Sequence, residues 1–186
     1  AGLAADADEL VALLTLVAEH CPATAVVCLA HRPDREMALA ASRGGARAYL
    51  TREQVGIGIA NAVRFALRHR FVVTQDVAGL FDDPLSRGFE VLPRRRRYPR
   101  LTQRIEQALW LCVVEGLPAE LAAEEMGVST NTVRSYIKEG YRILEAYDDT
   151  SYPATVSPVE RAFLRYTALE RMDKPWEFDT PYQPAA

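Results

Sequence analysis

Residues 101–147 read LTQRIEQALWLCVVEGLPAELAAEEMGVSTNTVRSYIKEGYRILEAY, and this stretch decides how the rest of the chain is understood. Thr102 is placed to cap a first helix, whose apolar positions Ile105, Ala108, Leu109, Cys112 and Val113 recur at helical spacing. Glu115-Gly116-Leu117-Pro118 interrupts it. Pro118 suits the start of a second helix, with Leu121, Ala122 and Met126 turned inward. Met126-Gly127-Val128-Ser129 is a second break, and Ser129 is the cap of a third helix. In that helix Val133, Ile137, Gly140 and Leu144 fall at i, i+4, i+7 and i+11 and share one face. Asn131, Arg134, Ser135, Lys138 and Arg142 share the opposite face. Side chains of these types hydrogen-bond to base edges and phosphates, and a helix whose back lies in a small core can carry them into a major groove.

The expected partner is therefore double-stranded DNA. Asn131 and Arg134 are the expected base readers, because an amide matches adenine and a guanidinium matches guanine. Thr130, Thr132, Ser135, Lys138 and Arg142 would set the helix on the phosphates, with further backbone contacts from Thr102 and Arg104.

Working outward, Arg94, Arg95, Arg96, Arg97 and Arg100 form a dense basic block, bracketed by Pro93 and Pro99. The prolines place it in extended chain between two domains, where it could lie on phosphates or enter a minor groove. The net charge of −3 shows that the basic character is local, since Asp148, Asp149, Glu177 and Asp179 make the tail acidic.

The N-terminal part alternates helix and strand. Asp6 to His20 reads as an amphipathic helix with Leu10, Leu13, Leu14 and Val17 on one stripe. Ala25 to Ala30 is a short apolar run typical of a parallel strand buried on both faces. A helix from Pro33-Asp34 to Ala41, a strand from Ala46 to Leu50 and a helix from Gln54 to His69 follow, the last with Val55, Ile59, Ala62, Val63 and Ala66 inward. This order implies an α/β unit with right-handed crossovers. Two strands are too few for a stable sheet, so the missing strands are expected upstream of Ala1, or in a partner. Phe71 to Leu92 reads as linker with local structure, including a possible strand at Phe71-Val72-Val73. At the other end, Ser157-Pro158-Val159-Glu160 starts an extra helix to about residue 172, with Ala162, Phe163, Tyr166 and Leu169 on its apolar stripe. Beyond it lies a proline-rich tail that includes Trp176 and Tyr182.

The domain reading is thus 1–76, a linker at 77–99, a three-helix reader at 100–147 and an extension at 148–186. No GxxxxGK[ST], GxSxG or HExxH motif occurs, and Asp82-Asp83 is a solvated turn pair, so no enzyme is expected. Cys21, Cys28 and Cys112 form no CxxC pair. Neither a metal nor a cofactor is expected, and buried free thiols suit a reducing cytoplasm. No apolar run approaches the ~20 residues of a membrane span.

Leu101-Thr102-x-Arg104, Glu115-Gly116-Leu117, Ala123, Gly127-Val128-Ser129-x-x-Thr132-Val133-Arg134 and Leu144 together resemble the LuxR/NarL-type helix-turn-helix. The resemblance covers roughly a quarter of the chain. Ile105 and Leu121 depart from it where the family usually carries glutamates, and Tyr136 departs where a histidine is common. Ala25–Ala30 and Gly45-Ala46-Arg47-Ala48-Tyr49-Leu50-Thr51-Arg52 resemble the C-terminal half of a response-regulator receiver, a flavodoxin-like fold. At its switch positions Ala30 stands where the family has Ser or Thr, and Arg52 where it has Lys. The two resemblances imply a bacterial transcription regulator that pairs as a homodimer and is not controlled by phosphorylation. Two other readings remain: a factor like sigma region 4 that contacts RNA polymerase, and a protein-interaction module with a degenerate helix-turn-helix.

Overall fold

The computed structural model describes residues 6–148 and 150–170. The chain forms two compact units, one ending at Arg94 and the other beginning at Arg95.

In the first unit, α1 (Ala7–His20) starts at Asp6, whose carboxylate accepts the Glu9 amide at 2.8 Å. α2 (Arg35–Arg43) is capped by Asp34 in the same way, at 2.9 Å from the Met37 amide. Two cap bonds of this kind contribute about 1 kcal/mol each. Four strands, β1 (Val27–Ala30), β2 (Ala48–Thr51), β3 (Val72–Val73) and β4 (Glu90–Val91), pair in parallel in the order β1-β2-β3-β4. Val27 faces Ala48 and Ala30 faces Thr51 across the first pair, while Val72 faces Glu90 across the last. Leu10, Leu14, Ala38, Ala41, Phe71, Val73, Phe81 and Phe89 close the core on this sheet.

Three expectations change here. Residues 77–92 are not linker: α5 (Gln75–Ala78) and a single 3-10 turn (Leu85–Arg87) lead into β4, which supplies the fourth strand. The missing sheet partners therefore lie downstream of the two strands read from sequence. The helix expected over Gln54–His69 is split into α3 (Arg52–Val55), a 3-10 turn at Gly56–Gly58 and α4 (Ile59–Ala66). The split turns Ile59 outward, at 38% exposure, and buries Asn61 in its place. Finally, Leu29 on β1 is 40% exposed: among the described residues β1 ends the sheet, and the face that carries Leu29 is left partly uncovered. A flavodoxin-like order ends at its fifth strand. The strand that would correspond, β2, is followed here by β3 and β4, so the unit is a small parallel α/β sheet without a receiver's outer edge.

The second unit is helical: α6 (Gln103–Leu109) running into a π-helical turn (Trp110–Val114), α7 (Ala119–Met126), α8 (Thr130–Ala146) and α9 (Pro158–Tyr166). Thr102 caps α6 by accepting the Ile105 amide. Leu121, read as a core residue, is 50% exposed, and Ala123 takes the inward position beside Ala122 and Met126. α9 is shorter than the expected 158–172. It stops at Tyr166, so that Leu169 can pair with Arg95 in an antiparallel bridge, and residues 171 and 172 lie outside the described residues.

α6 and α8 cross in direct contact at Gly140. A Cβ there would sit 2.9 Å from Leu109 Cγ, Cδ1 and Cδ2, and Leu109 is itself fully buried. Gly140→Ala recovers about 1 kcal/mol of helix propensity, whereas overpacking a closed contact costs about 1–3 kcal/mol. A net loss of about 1 kcal/mol is expected, read as a lower urea midpoint for the second unit. An unchanged or higher midpoint would show that the contact is loose.

Candidate nucleic-acid interface

The turn between α7 and α8 is built from backbone constraints. Gly127 adopts φ +64, the left-handed region in which an L side chain is strained. Its amide donates to the Glu124 carbonyl at 3.2 Å and the Val128 amide to the Ala123 carbonyl at 3.0 Å, which is a Schellman closure of α7. Two residues on, Ser129 Oγ accepts the Thr132 amide at 3.1 Å and starts α8. From Arg104 on α6, Nη1 donates at 3.3 Å to the Met126 carbonyl, so a residue read as a phosphate contact ties α6 to the end of α7.

This turn directs Val133, Gly140, Ile143 and Leu144 inward. Val133 joins Ala108, Leu111, Ala122, Ala123 and Met126 in one core, with Ile137 packed half-buried against it. Ile143 is an inward position that the sequence reading did not name.

The other face of α8 is polar and open. Asn131, Arg134, Ser135, Lys138 and Arg142 are all exposed, and Thr130 and Thr132 are half-exposed. Several of these side chains are already engaged. Arg134 Nη2 is 2.8 Å from Glu120 Oε1 on α7. Arg142 is paired with Glu139 one turn back, an interaction that holds the Glu139 carboxyl below its usual range. Ser135 Oγ donates to the Asn131 carbonyl at 2.9 Å, and Thr132 Oγ1 lies 2.8 Å from Ser129 Oγ. Exposed pairs of this kind contribute little to stability and are easily exchanged for a ligand anion. The Glu120 contact holds the Arg134 guanidinium at the α7 edge of the exposed face.

The basic block is divided between the two units. Arg94 belongs with the first, where its Nε donates at 3.0 Å to Gln75 Oε1. Arg95 and Arg96 are built into the second. Arg95 pairs with Leu169 in the antiparallel bridge and lies 4.9 Å over the Tyr166 ring. The Arg96 amide donates to the Ala168 carbonyl at 2.6 Å, and Nη1 reaches the Tyr147 carbonyl at 3.0 Å. Arg97 is exposed and carries no ion pair among the described residues. The extended arm expected from the prolines is thus extended chain, fixed against the C-terminal extension by a single bridge at Arg95 and by Arg96. The receiver-like switch positions belong to the first unit: Ala30 ends β1, and Arg52 opens α3 as an exposed residue. At that end of the sheet the Thr51 hydroxyl donates to Asp76 Oδ2 at 2.7 Å, a contact no sequence signal announced.

The extension is clamped by Arg165. Its side chain is 10% exposed, with Nη1 3.0 Å from Glu145 Oε1, Nε 3.6 Å from Asp148 Oδ2 and the guanidinium 5.0 Å from the Tyr152 ring centroid. The Tyr98 hydroxyl donates to the Arg165 carbonyl. Burial raises the Tyr98 phenol to about 12, and burial together with Glu106 raises Tyr166 to about 12.

A left-handed glycine turn, a serine-capped second helix and an exposed cationic-amide row define a helix-turn-helix. Residues 95–144 match the family model for Sigma-70, region 4. This is about a quarter of the chain, and it assigns the stretch to helix-turn-helix domains of DNA-binding regulators and sigma-like factors. The family named is sigma region 4, where the residue pattern had pointed first to the LuxR/NarL reader. No curated protein matches the chain.

The tyrosines set an alkaline limit on stability. A phenol of ordinary pKa near 10 in the unfolded chain and about 12 in the fold favours folding as long as it stays neutral. Its contribution is complete below pH 10 and lost as pH rises from 10 through about 12. The urea midpoint of the second unit is expected to fall across that window, and Tyr98→Phe to make the fall shallower. A midpoint that is flat to pH 12 would mean that these rings ionise freely in the fold.

Proposed function

We propose that this chain is a sequence-specific DNA-binding transcription regulator that reads a major groove with the exposed face of α8. The observation that carries the proposal is the row Asn131, Arg134, Ser135, Lys138 and Arg142, held outward by a buried opposite face. The sigma region 4 match over the same helices supports it. Asn131 and Arg134, in the first turns of α8, are the base readers, in keeping with recognition helices that contact base edges from their N-terminal end. Lys138 and Arg142, further along, neutralise phosphates. Arg142 gives up Glu139 to do so, and Arg134 gives up Glu120.

The finer reading rests on the two resemblances. In it, two copies pair and set two α8 helices in successive major grooves about one turn apart. The N-terminal α/β unit is the regulatory part. Its control is taken to be independent of phosphorylation, because its sheet continues past β2 and Ala30 at the end of β1 carries no hydroxyl. A second reading is favoured by the family match: a sigma-like factor that engages DNA together with RNA polymerase.

Selection of bound duplexes from a randomised pool, followed by sequencing, separates the readings. A regulator of the proposed kind recovers paired, palindromic half-sites without polymerase. Arg134→Ala then costs about 1–3 kcal/mol and relaxes preference at one base position. Equal weakening on every sequence would refute base reading by Arg134. An asymmetric motif recovered only with polymerase present favours the sigma-like reading, and failure to bind even at low salt would favour a protein-interaction module.

A further inference from the structure

Beside the helix-turn-helix lies a cavity of about 480 Å³, within the range of small-molecule sites. Arg95, Arg96, Arg97, Tyr98, Glu106 and Tyr166 line most of it. The lining is net positive. Its cations are also positioned in advance: Arg95 by the Tyr166 ring at 4.9 Å and by Glu106 at 4.0 Å, Arg96 by the Tyr147 carbonyl at 3.0 Å. Glu106 in turn accepts the Tyr166 hydroxyl at 3.1 Å, so the one acid of the wall is occupied in holding its neighbours. Arg97 has no ion-pair partner among the described residues and is available to a ligand. Planar guanidinium forks fixed around a hollow are the chemistry that recognises phosphate oxygens two at a time.

The cavity stands apart from the base-reading turn. Arg96 is anchored at Tyr147, thirteen residues beyond Arg134, which is about 20 Å along the axis of α8 at 1.5 Å per residue. It is the end of a recognition helix opposite to the one that contacts bases. The volume also exceeds what one backbone phosphate of a duplex would fill. We infer that this cavity binds a small molecule bearing two or more linked phosphates, held by Arg95, Arg96 and Arg97. Such a ligand bridges the arginine segment, α6 and α9, and so tightens the C-terminal extension on the domain that carries α8.

Isothermal titration of the full chain with inorganic tripolyphosphate tests this. Saturable one-to-one binding is expected, weakened about tenfold by Arg97→Gln, the loss of one charged hydrogen bond. Arg97 is exposed and makes no ion pair among the described residues, so the variant keeps the parent's thermal midpoint. Arg134→Ala is expected to bind tripolyphosphate as the parent does. The inference is overturned by an absence of saturable heat, by equal binding in Arg97→Gln, or by equal loss in Arg134→Ala. Citrate bound as tightly as tripolyphosphate would overturn the phosphate assignment. A flattened salt slope for duplex binding in Arg97→Gln, without tripolyphosphate binding in the parent, would assign the arginines to DNA instead.

Discussion

The reversal of direction at Gly127 is the constraint on which the second unit depends. Its left-handed backbone closes α7, and two residues later Ser129 opens α8, so the two axes are fixed by only three intervening positions. That fixed angle brings Val133 and Leu144 onto the core and leaves Asn131, Arg134 and Lys138 no choice but to face outward. Gly140 secures the same arrangement at a second point, because α8 can lie against Leu109 only where a side chain is missing. The polar face of α8 is therefore a consequence of how its apolar face is held, which is why its chemistry can be argued from packing.

The C-terminal extension gives the small helical unit more structure than three short helices supply. A guanidinium taken out of water is destabilising unless its hydrogen bonds and charge are met. Arg165 has its charge met by Glu145 from the end of α8 and by Asp148 just after it, and its Nη atoms donate to Glu145 and to the Thr150 carbonyl, while Nε makes an ion pair with Asp148 but no hydrogen bond. Arg96 and Tyr98 then join the arginine segment to the same region, through Tyr147, Ala168 and the Arg165 carbonyl. The entry and exit of the domain are thus tied to each other. The arginine segment is ordered by this tie, and its side chains are presented from a rigid backbone.

Much of this was legible in the sequence because it rests on local signals. The caps at Asp6, Asp34, Thr102, Ser129 and Ser157 each follow from a short polar side chain ahead of a helical pattern. The two faces of α8 follow from 3.6-residue periodicity over seventeen residues. What escaped the reading is long-range. β4 is two residues long and carries no periodicity, so only its pairing with β3 makes it a strand, and β3, read within the linker at Phe71-Val72-Val73, gains its place in the sheet from pairing with β2. The prolines around the arginines correctly indicated extended chain, but nothing local shows that extended chain bridging to Leu169, more than seventy residues away. Ile59 was misplaced because the helix is broken at Gly56, and Leu121 because the inward stripe of α7 runs through Ala122, Ala123 and Met126 and leaves Leu121 at its edge. On α8, the Glu120 pairing of Arg134 bridges two helices and is likewise invisible to spacing along one.

The central claim is that α8 meets DNA with its Asn131–Arg142 face. Amide chemical-shift mapping of the full chain, titrated with a short random-sequence duplex at low salt, tests it most directly. The account predicts that the largest perturbations fall on Thr130 through Arg142 and at the Thr102 start of α6, with the first unit's sheet unchanged. Perturbations confined to α9 or to the N-terminal unit, or none at all, would contradict it.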